Sequence, residues 1–455
     1  MKIVNPSNEA IIADLPTDDI ESLGRKIQLL RTAQKSWSKV SLAERVLIIR
    51  KLATLMETQT EKLAGILTSE VGKPLQQSRN ELAGARARIE WLTDHAIQYL
   101  SDETMNAAPG LKEVITYEPL GVVCNISAWN YPYLVGTNVF VPALLAGNAV
   151  MYKPSEYATL TGLEIERLMH EAGVPRDAFI AAVGDKEVGE ELLTMNFDGY
   201  FFTGSYRTGK HIYETVSARM IPCQCELGGK DPLYVTDDIV DVKAVAAGTA
   251  DGAFYNNGQS CCAVERIYVH EKVYEAYVRE FVNEVEGFKS GKPEEQGVYL
   301  GPLTRKDQLG FLEKQIQDAV ASGATLLTGG KRVGGKGYYF EPTVLTDVTN
   351  KMSVMQEESF GPVIGIMKVK DDAEAVEFMA DTQYGLTASV YSRDEERALG
   401  ILKQLNTGTG YWNCCDRVSA AVPWSGRLRS GIGSTLSHAG LRAFTRPKAL
   451  HLKTV

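Results

Sequence analysis

At 455 residues, 44% apolar and 23% charged, the chain has material for more than one core and the make-up of an ordinary globular protein. A net charge of −9 argues against nucleic acid and against an anionic membrane surface as partners. The seven cysteines are odd in number and scattered, which reads as free thiols rather than a disulfide framework; with no secretory leader pattern and no apolar run of about 18 residues, a cytoplasmic location with no membrane association is expected.

In chain order, residues 18–100 carry apolar positions at three-to-four spacing and predict three helical stretches: IESLGRKIQLLRTAQKSW, LAERVLIIRKLATLMETQTEKLAGILTSEVG and NELAGARARIEWLTDHAIQYL. Ser41, with Glu44 three residues on, fits an N-cap. EVITYEP and GVVCNISAW then predict strands, rich in β-branched residues and bounded by Pro119 and Gly121. From there strands (AVMYKPS, AFIAAVG, GYFFTGS) alternate with helices (TLTGLEIERLMHEAG, KEVGEELLTM, RTGKHIYETVSARM), the pattern of an α/β fold with a parallel sheet. A second α/β run follows Gly229, with helices over EKVYEAYVREFVNEVEGF and QLGFLEKQIQDAVASG and strands at GPVIGIMKVK and TASVYS. TGGKRVGGKGYYFEP predicts a surface connection, and the tail TRPKALHLKTV an edge strand available to a partner subunit.

GSYRTGKH, from Gly204 to His211, matches a phosphate loop up to its lysine, but His211 stands where Ser or Thr must hold magnesium. The triphosphate reading fails, while a helix start able to receive a phosphate survives. No metal is expected: Cys223/Cys225, Cys261/Cys262 and Cys414/Cys415 all lack the two-to-four-residue separation that structural zinc takes. In NNGQSCC, Cys261 is either a core thiol or a nucleophile. Asn130 in AWNYP, Glu226 in CELGGK and Glu358 in EESFGP are polar groups in apolar settings. Their structural alternatives are a turn residue, a cap and a solvated charge.

SAWNYPY, LLAGNAVMYKPSE, FFTGS, ELGGKDP, NNGQSC, EESFGP and PWSGRLRSGIG follow one another in this order between residues 125 and 433. With these motifs the chain closely resembles the aldehyde dehydrogenase superfamily, nearly end to end. The resemblance implies a Rossmann-like cofactor domain (residues 1–96 and 120–228), an α/β catalytic domain (229–429) and a β-strand oligomerisation arm (97–119 and 430–455), assembled as a homodimer or homotetramer. It implies oxidation of a small-molecule aldehyde by NAD, with NADP as the alternative cofactor. Cys261, two residues after Gln259, matches the family's nucleophile and Cys262 becomes a bystander. Asn130 matches the oxyanion donor, with the Cys261 backbone N–H, and Glu226 the general base. Lys153 and Glu156 match the adenosine-ribose positions, and Ser205 the position near the pyrophosphate, where Gly204 admits close approach. Glu358 matches the nicotinamide-ribose acid. Trp129 and Phe360 fall at cofactor positions, and Gly184 and Gly189 at the cofactor loop.

The substrate pocket departs from the pattern. Asn138 is polar where a large apolar residue is common, and Trp424-Ser425 replace the usual Phe-Gly; Tyr133 is assigned to the same pocket. Arg417 is read either as a surface arginine paired with Asp416 or as a clamp for a semialdehyde carboxylate such as that of succinate semialdehyde. Two rival readings are a CoA-acylating relative, which generally lacks the glutamate of ELGG, and a catalytically silent one.

Overall fold

The computed structural model describes residues 1–454. Four helices open the chain after a small hairpin: Ile20–Trp37, Leu42–Thr58, Thr60–Val71 and Leu75–Leu100. The stretch expected as one helix over 42–71 is two, because the chain breaks at Gln59, whose φ of −112° and ψ of 14° leave the helical region. Ser41 does cap its helix, accepting from Glu44 N at 3.2 Å.

A six-stranded sheet follows, in the spatial order Gly431–Ile432, Cys223–Glu226, Gly199–Thr203, Val122–Ile126, Ala149–Lys153, Phe179–Ala181. All neighbours are parallel except the first pair. The chain starts in the middle, at Val122–Ile126, moves outward on one side and returns to build the other. Where the direction reverses, between Val122–Ile126 and Gly199–Thr203, the connections leave the carboxyl ends of adjacent strands on opposite faces and a crevice opens. These strands are apolar and buried on both faces, as a parallel sheet sandwiched by helices requires.

The second sheet has seven strands, in the order Thr325–Thr328, Thr343–Thr346, Val363–Val369, Val264–His270, Asp231–Val235, Thr387–Tyr391, Thr409–Trp412; only the first pair is antiparallel. Strand Asp231–Val235 and helices Pro132–Leu145 and Val242–Phe254 have no counterpart among the sequence expectations. Helix Pro132–Leu145 is buried on nearly every side and so shows no amphipathic period to read.

A third sheet joins Thr445–Lys453, Leu111–Pro119 and Glu103–Ala108, all antiparallel. The tail is the edge strand expected of it: one side pairs with Leu111–Pro119, Thr445 opposite Pro119 through Lys453 opposite Leu111, and the other side is the outer edge of the sheet. Among the described residues no helix is long and apolar enough to cross a membrane.

Candidate active site

Two cavities meet at one sulfur. The first, of about 550 Å³, lies at the crevice of the six-stranded sheet and is lined by Trp129, Asn130, Lys153, Glu156, Gly189, Gly204, Ser205, Glu358 and Phe360 among others. The second, of about 810 Å³, lies between helices Leu75–Leu100 and Pro132–Leu145 and the 413–424 loop. Cys261 lines both.

The loop that carries Cys261 is fixed by its own sequence. Asn256 and Asn257 adopt φ of 54° and 57°, the left-handed region that asparagine tolerates, and Gly258 follows at 67°. A Cβ at Gly258 would stand 2.4 Å from Gly361 O, so only glycine lets this loop lie against the 358–361 turn. Asn256 Nδ2 donates to Asn130 O (3.2 Å) and Gln259 O (3.1 Å), and Asn257 Nδ2 to Gly301 O and Pro302 O. Gln259 Oε1 accepts from Thr304 N at 3.0 Å. Asn130 Nδ2 donates to Gln259 O at 3.0 Å, which ties the amide to the cysteine loop.

Cys262 turns the other way. It is buried, its Sγ donates to Asp416 Oδ1 at 3.0 Å, and its thiol is pushed well above the ordinary cysteine range by the hydrogen bond with Cys261, by burial and by the Asp416 carboxylate. Asp416 also accepts from Ser260 Oγ at 3.2 Å. Burial raises its carboxyl to about 7. Asp416 therefore does not pair with Arg417: no ion pair to Arg417 forms among the described residues, and that arginine is exposed at the cavity mouth.

Glu226 ends strand Cys223–Glu226 and lines neither cavity. Its Oε1 accepts from Thr435 Oγ1 at 3.3 Å, and its Oε2 is buried with no partner among the described residues. Burial lifts this carboxyl to about 8. Glu358 is not a solvated charge. It accepts from Gly229 N at 3.1 Å, and burial together with the Glu265 carboxylate raises it to about 8. A Cβ at Gly228 would stand 2.3 Å from both Glu358 carboxylate oxygens.

Ser205 caps helix Tyr206–Val216, accepting from Thr208 N, and the free N–H groups of that helix start face the first cavity. Trp129 meets the ring edge of Phe360 at 5.5 Å between centroids. Gly184 lines neither cavity; it packs against Val188, whose Cγ2 an added Cβ would meet at 2.2 Å. Tyr133 also lines neither. Its N–H is held by Glu81 Oε1 at 2.9 Å, and the start of its helix buries its ring in the core. Asn138, Arg417 and Trp424 do line the second cavity.

The model of the aldehyde dehydrogenase family matches residues 1–450. The chain belongs to the aldehyde dehydrogenase family. It is 35% identical over 457 residues to aminoaldehyde dehydrogenase 1, peroxisomal, of Pisum sativum, which covers 98% of this chain and 91% of that protein. It is 33% identical over 448 residues to succinate-semialdehyde dehydrogenase [NADP(+)] of Deinococcus radiodurans, covering 98% and 93%. Its fold superposes on an NAD-dependent aldehyde dehydrogenase from Sinorhizobium meliloti with a TM-score of 0.96 at 30% identity, covering 100% of this chain and 91% of that one.

The first cavity of this aldehyde dehydrogenase fits a nicotinamide dinucleotide on its own donor set. It offers an open helix start for a pyrophosphate, two carboxylates for ribose hydroxyls and an aromatic edge beside Cys261. The Gly228 backbone leaves room that a single methyl would fill.

Two buried ion pairs escaped the sequence reading. Lys73 is fully buried and pairs with Glu81; its Nζ also donates to Asn130 O at 2.7 Å and sits 3.7 Å over the Tyr131 ring. Lys230 pairs with Glu265 at 2.5 Å, and Glu265 accepts from Ser359 N (2.8 Å) and Phe360 N (2.9 Å). The first pair positions the Asn130 turn. The second holds Phe360 at a φ of 45°. A lysine eight residues before a glutamate gives no local signal of such a bond.

Proposed function

We propose that this aldehyde dehydrogenase oxidises an aldehyde to its carboxylic acid with Cys261 as nucleophile. The observation that carries the reading is that, among the described residues, Cys261 alone lines both the cavity with a dinucleotide's donor set and the second cavity beside it. The Cys261 sulfur bonds to the aldehyde carbon, and its proton leaves to solvent. Asn130 Nδ2 keeps one N–H for the oxyanion while the other is held by Gln259 O, and the Cys261 N–H is the second donor. A nicotinamide held in the first cavity would supply the hydride acceptor, and loss of hydride from the tetrahedral carbon would leave a thioester on Cys261. Glu226 then removes a proton from water, whose oxygen bonds to the acyl carbon as the C–S bond breaks and the thiol is re-formed. For this step the Glu226 carboxylate leaves Thr435 and turns toward the thioester. Its unpartnered Oε2 makes that departure inexpensive.

Lys153, Glu156, Gly189, Gly204 and Ser205 hold the adenosine and pyrophosphate portions, and Glu358, Phe360 and Trp129 the nicotinamide riboside. Glu156, half-buried at the cavity wall, favours a free 2′-hydroxyl and hence NAD, with NADP as the alternative.

The three-part division assigned from the motifs is retained in this proposal. In it the sheet of Thr445–Lys453, Leu111–Pro119 and Glu103–Ala108 forms the dimer arm, since its two outer strands have open edges and exposed apolar side chains at Met105 and Leu452. The seven free cysteines suit the cytosol.

Aldehyde-dependent NADH formation, with an equal yield of acid and oxygen incorporated from labelled water, tests the reading. Turnover that requires CoA and yields acyl-CoA would overturn it.

A further inference from the structure

Resting on the aldehyde oxidation proposed above, we propose that Arg88 is the anchor for an anionic group at the far end of the substrate, so that the enzyme prefers aldehydes carrying a carboxylate. Arg88 lies on helix Leu75–Leu100, lines the second cavity and is only 7% exposed. Its Nη1 donates to Asn138 Oδ1 at 2.7 Å and to Leu134 O at 3.1 Å. These bonds occupy one end of the guanidinium. Nε and Nη2, which form the edge with two parallel N–H bonds, meet no acceptor among the described residues, and neither is sealed off from the cavity. That edge is the fork that accepts a carboxylate through two hydrogen bonds.

A buried cation ordinarily has a counter-ion, because desolvating an unpaired charge costs several kcal/mol. Arg88 has none: among the described residues no carboxylate lies within ion-pair distance. The acids of this region are committed elsewhere: Glu81 to Lys73 and to Tyr133 N, Asp416 to Cys262 and Ser260, and Asp251, which also lines the cavity, to the Tyr299 hydroxyl at 2.6 Å. The guanidinium feels the sulfurs of Cys262 and Cys261, which puts it in the same electrostatic neighbourhood as the reacting atom. Burial lowers its pKa only to about 10, so it stays charged in neutral solution. Asn138 thereby acquires a role: its carbonyl oxygen orients the guanidinium and leaves the fork edge open.

Arg417 differs in kind. It is exposed at the mouth, where a charge is screened by water and adds little selectivity. The two relatives described above are named for substrates of opposite charge, an aminoaldehyde and a semialdehyde acid. An unpaired buried arginine sides with the second.

The experiment measures kcat/KM for three aldehydes of matched length ending in a carboxylate, a methyl and an ammonium group, in the wild type, Arg88→Met, Arg88→Lys and Arg417→Met. A phosphate-ended aldehyde distinguishes a planar carboxylate from anions in general. The wild type is expected to favour the carboxylate over the methyl compound by about tenfold or more, the range for one charge-assisted pair. That ratio should collapse toward one in Arg88→Met, recover only in part in Arg88→Lys, which restores charge without the fork, and persist in Arg417→Met. Expressing each variant's result as a ratio removes general damage to the fold. Should Arg88→Met not fold, the wild-type ratio and Arg88→Lys still decide. A wild type that favours the methyl or ammonium compound, or a ratio lost in Arg417→Met and kept in the Arg88 variants, overturns the proposal. No oxidation of any of the aldehydes would instead overturn the proposed function.

Discussion

Cys262 gives its S–H to Asp416 at 3.0 Å, and this bond separates the roles of two adjacent cysteines. With Cys262 anchored into the wall, Cys261 is left as the sulfur that opens on both cavities. Cys261→Ala should lower kcat at least about a thousandfold while cofactor still binds, because no other group can form the thioester. Cys262→Ala should cost about 1–2 kcal/mol of stability, since Asp416 loses one of its two donors, and should leave most of the activity. Steady-state NADH formation and denaturant melts measure both; a dead Cys262→Ala beside an active Cys261→Ala would reverse the assignment.

The Glu226 carboxyl is raised to about 8 by burial, so it is mostly protonated, and inactive as a base, at neutral pH. Deacylation therefore speeds up as pH rises through 8, and a kcat–pH profile should show that limb. Glu226→Gln should abolish the limb, keep the first-turnover burst of NADH and lower kcat about a hundredfold or more. A profile unchanged in the variant would remove Glu226 from the mechanism.

Lys73 and Glu81 are both buried, and their ion pair supports the Asn130 carbonyl and the Tyr133 N–H. Lys73→Met leaves a buried acid without its cation and should destabilise the protein by about 3–5 kcal/mol. The double variant Lys73→Met, Glu81→Leu should regain much of that stability but not the activity, because Asn130 still lacks its support. Melting temperature and kcat, taken together, separate the two effects.

Gly228→Ala places a methyl 2.3 Å from both carboxylate oxygens of Glu358. The carboxylate must move, and the affinity for NADH, read by fluorescence titration, should fall about tenfold, the value of one or two lost hydrogen bonds. An unchanged affinity would mean that Glu358 does not hold the riboside.

The alternation of strands and helices and the order of short motifs made the α/β class and the family legible in the residues alone. Cys261, Asn130, Glu226 and Glu358 stand out locally only as reactive or polar groups among small or apolar neighbours; the roles proposed for them come from the resemblance. Three-dimensional packing decided what no local pattern carries. Helix Pro132–Leu145 is buried all round and leaves no period to read. Tyr133 and Gly184, assigned from position in a motif, face the core, since one residue of rotation on a helix start or loop changes the face a side chain takes. Arg417 stands in a segment that the resemblance places at the pocket mouth, whereas Arg88 reads in the sequence as one arginine of an ordinary helix. Only the folded chain shows that the first is wet and the second is buried, unpaired and turned into the cavity, because burial and the absence of a counter-ion arise between segments distant in sequence, Arg88 meeting partners 46 and 50 residues away.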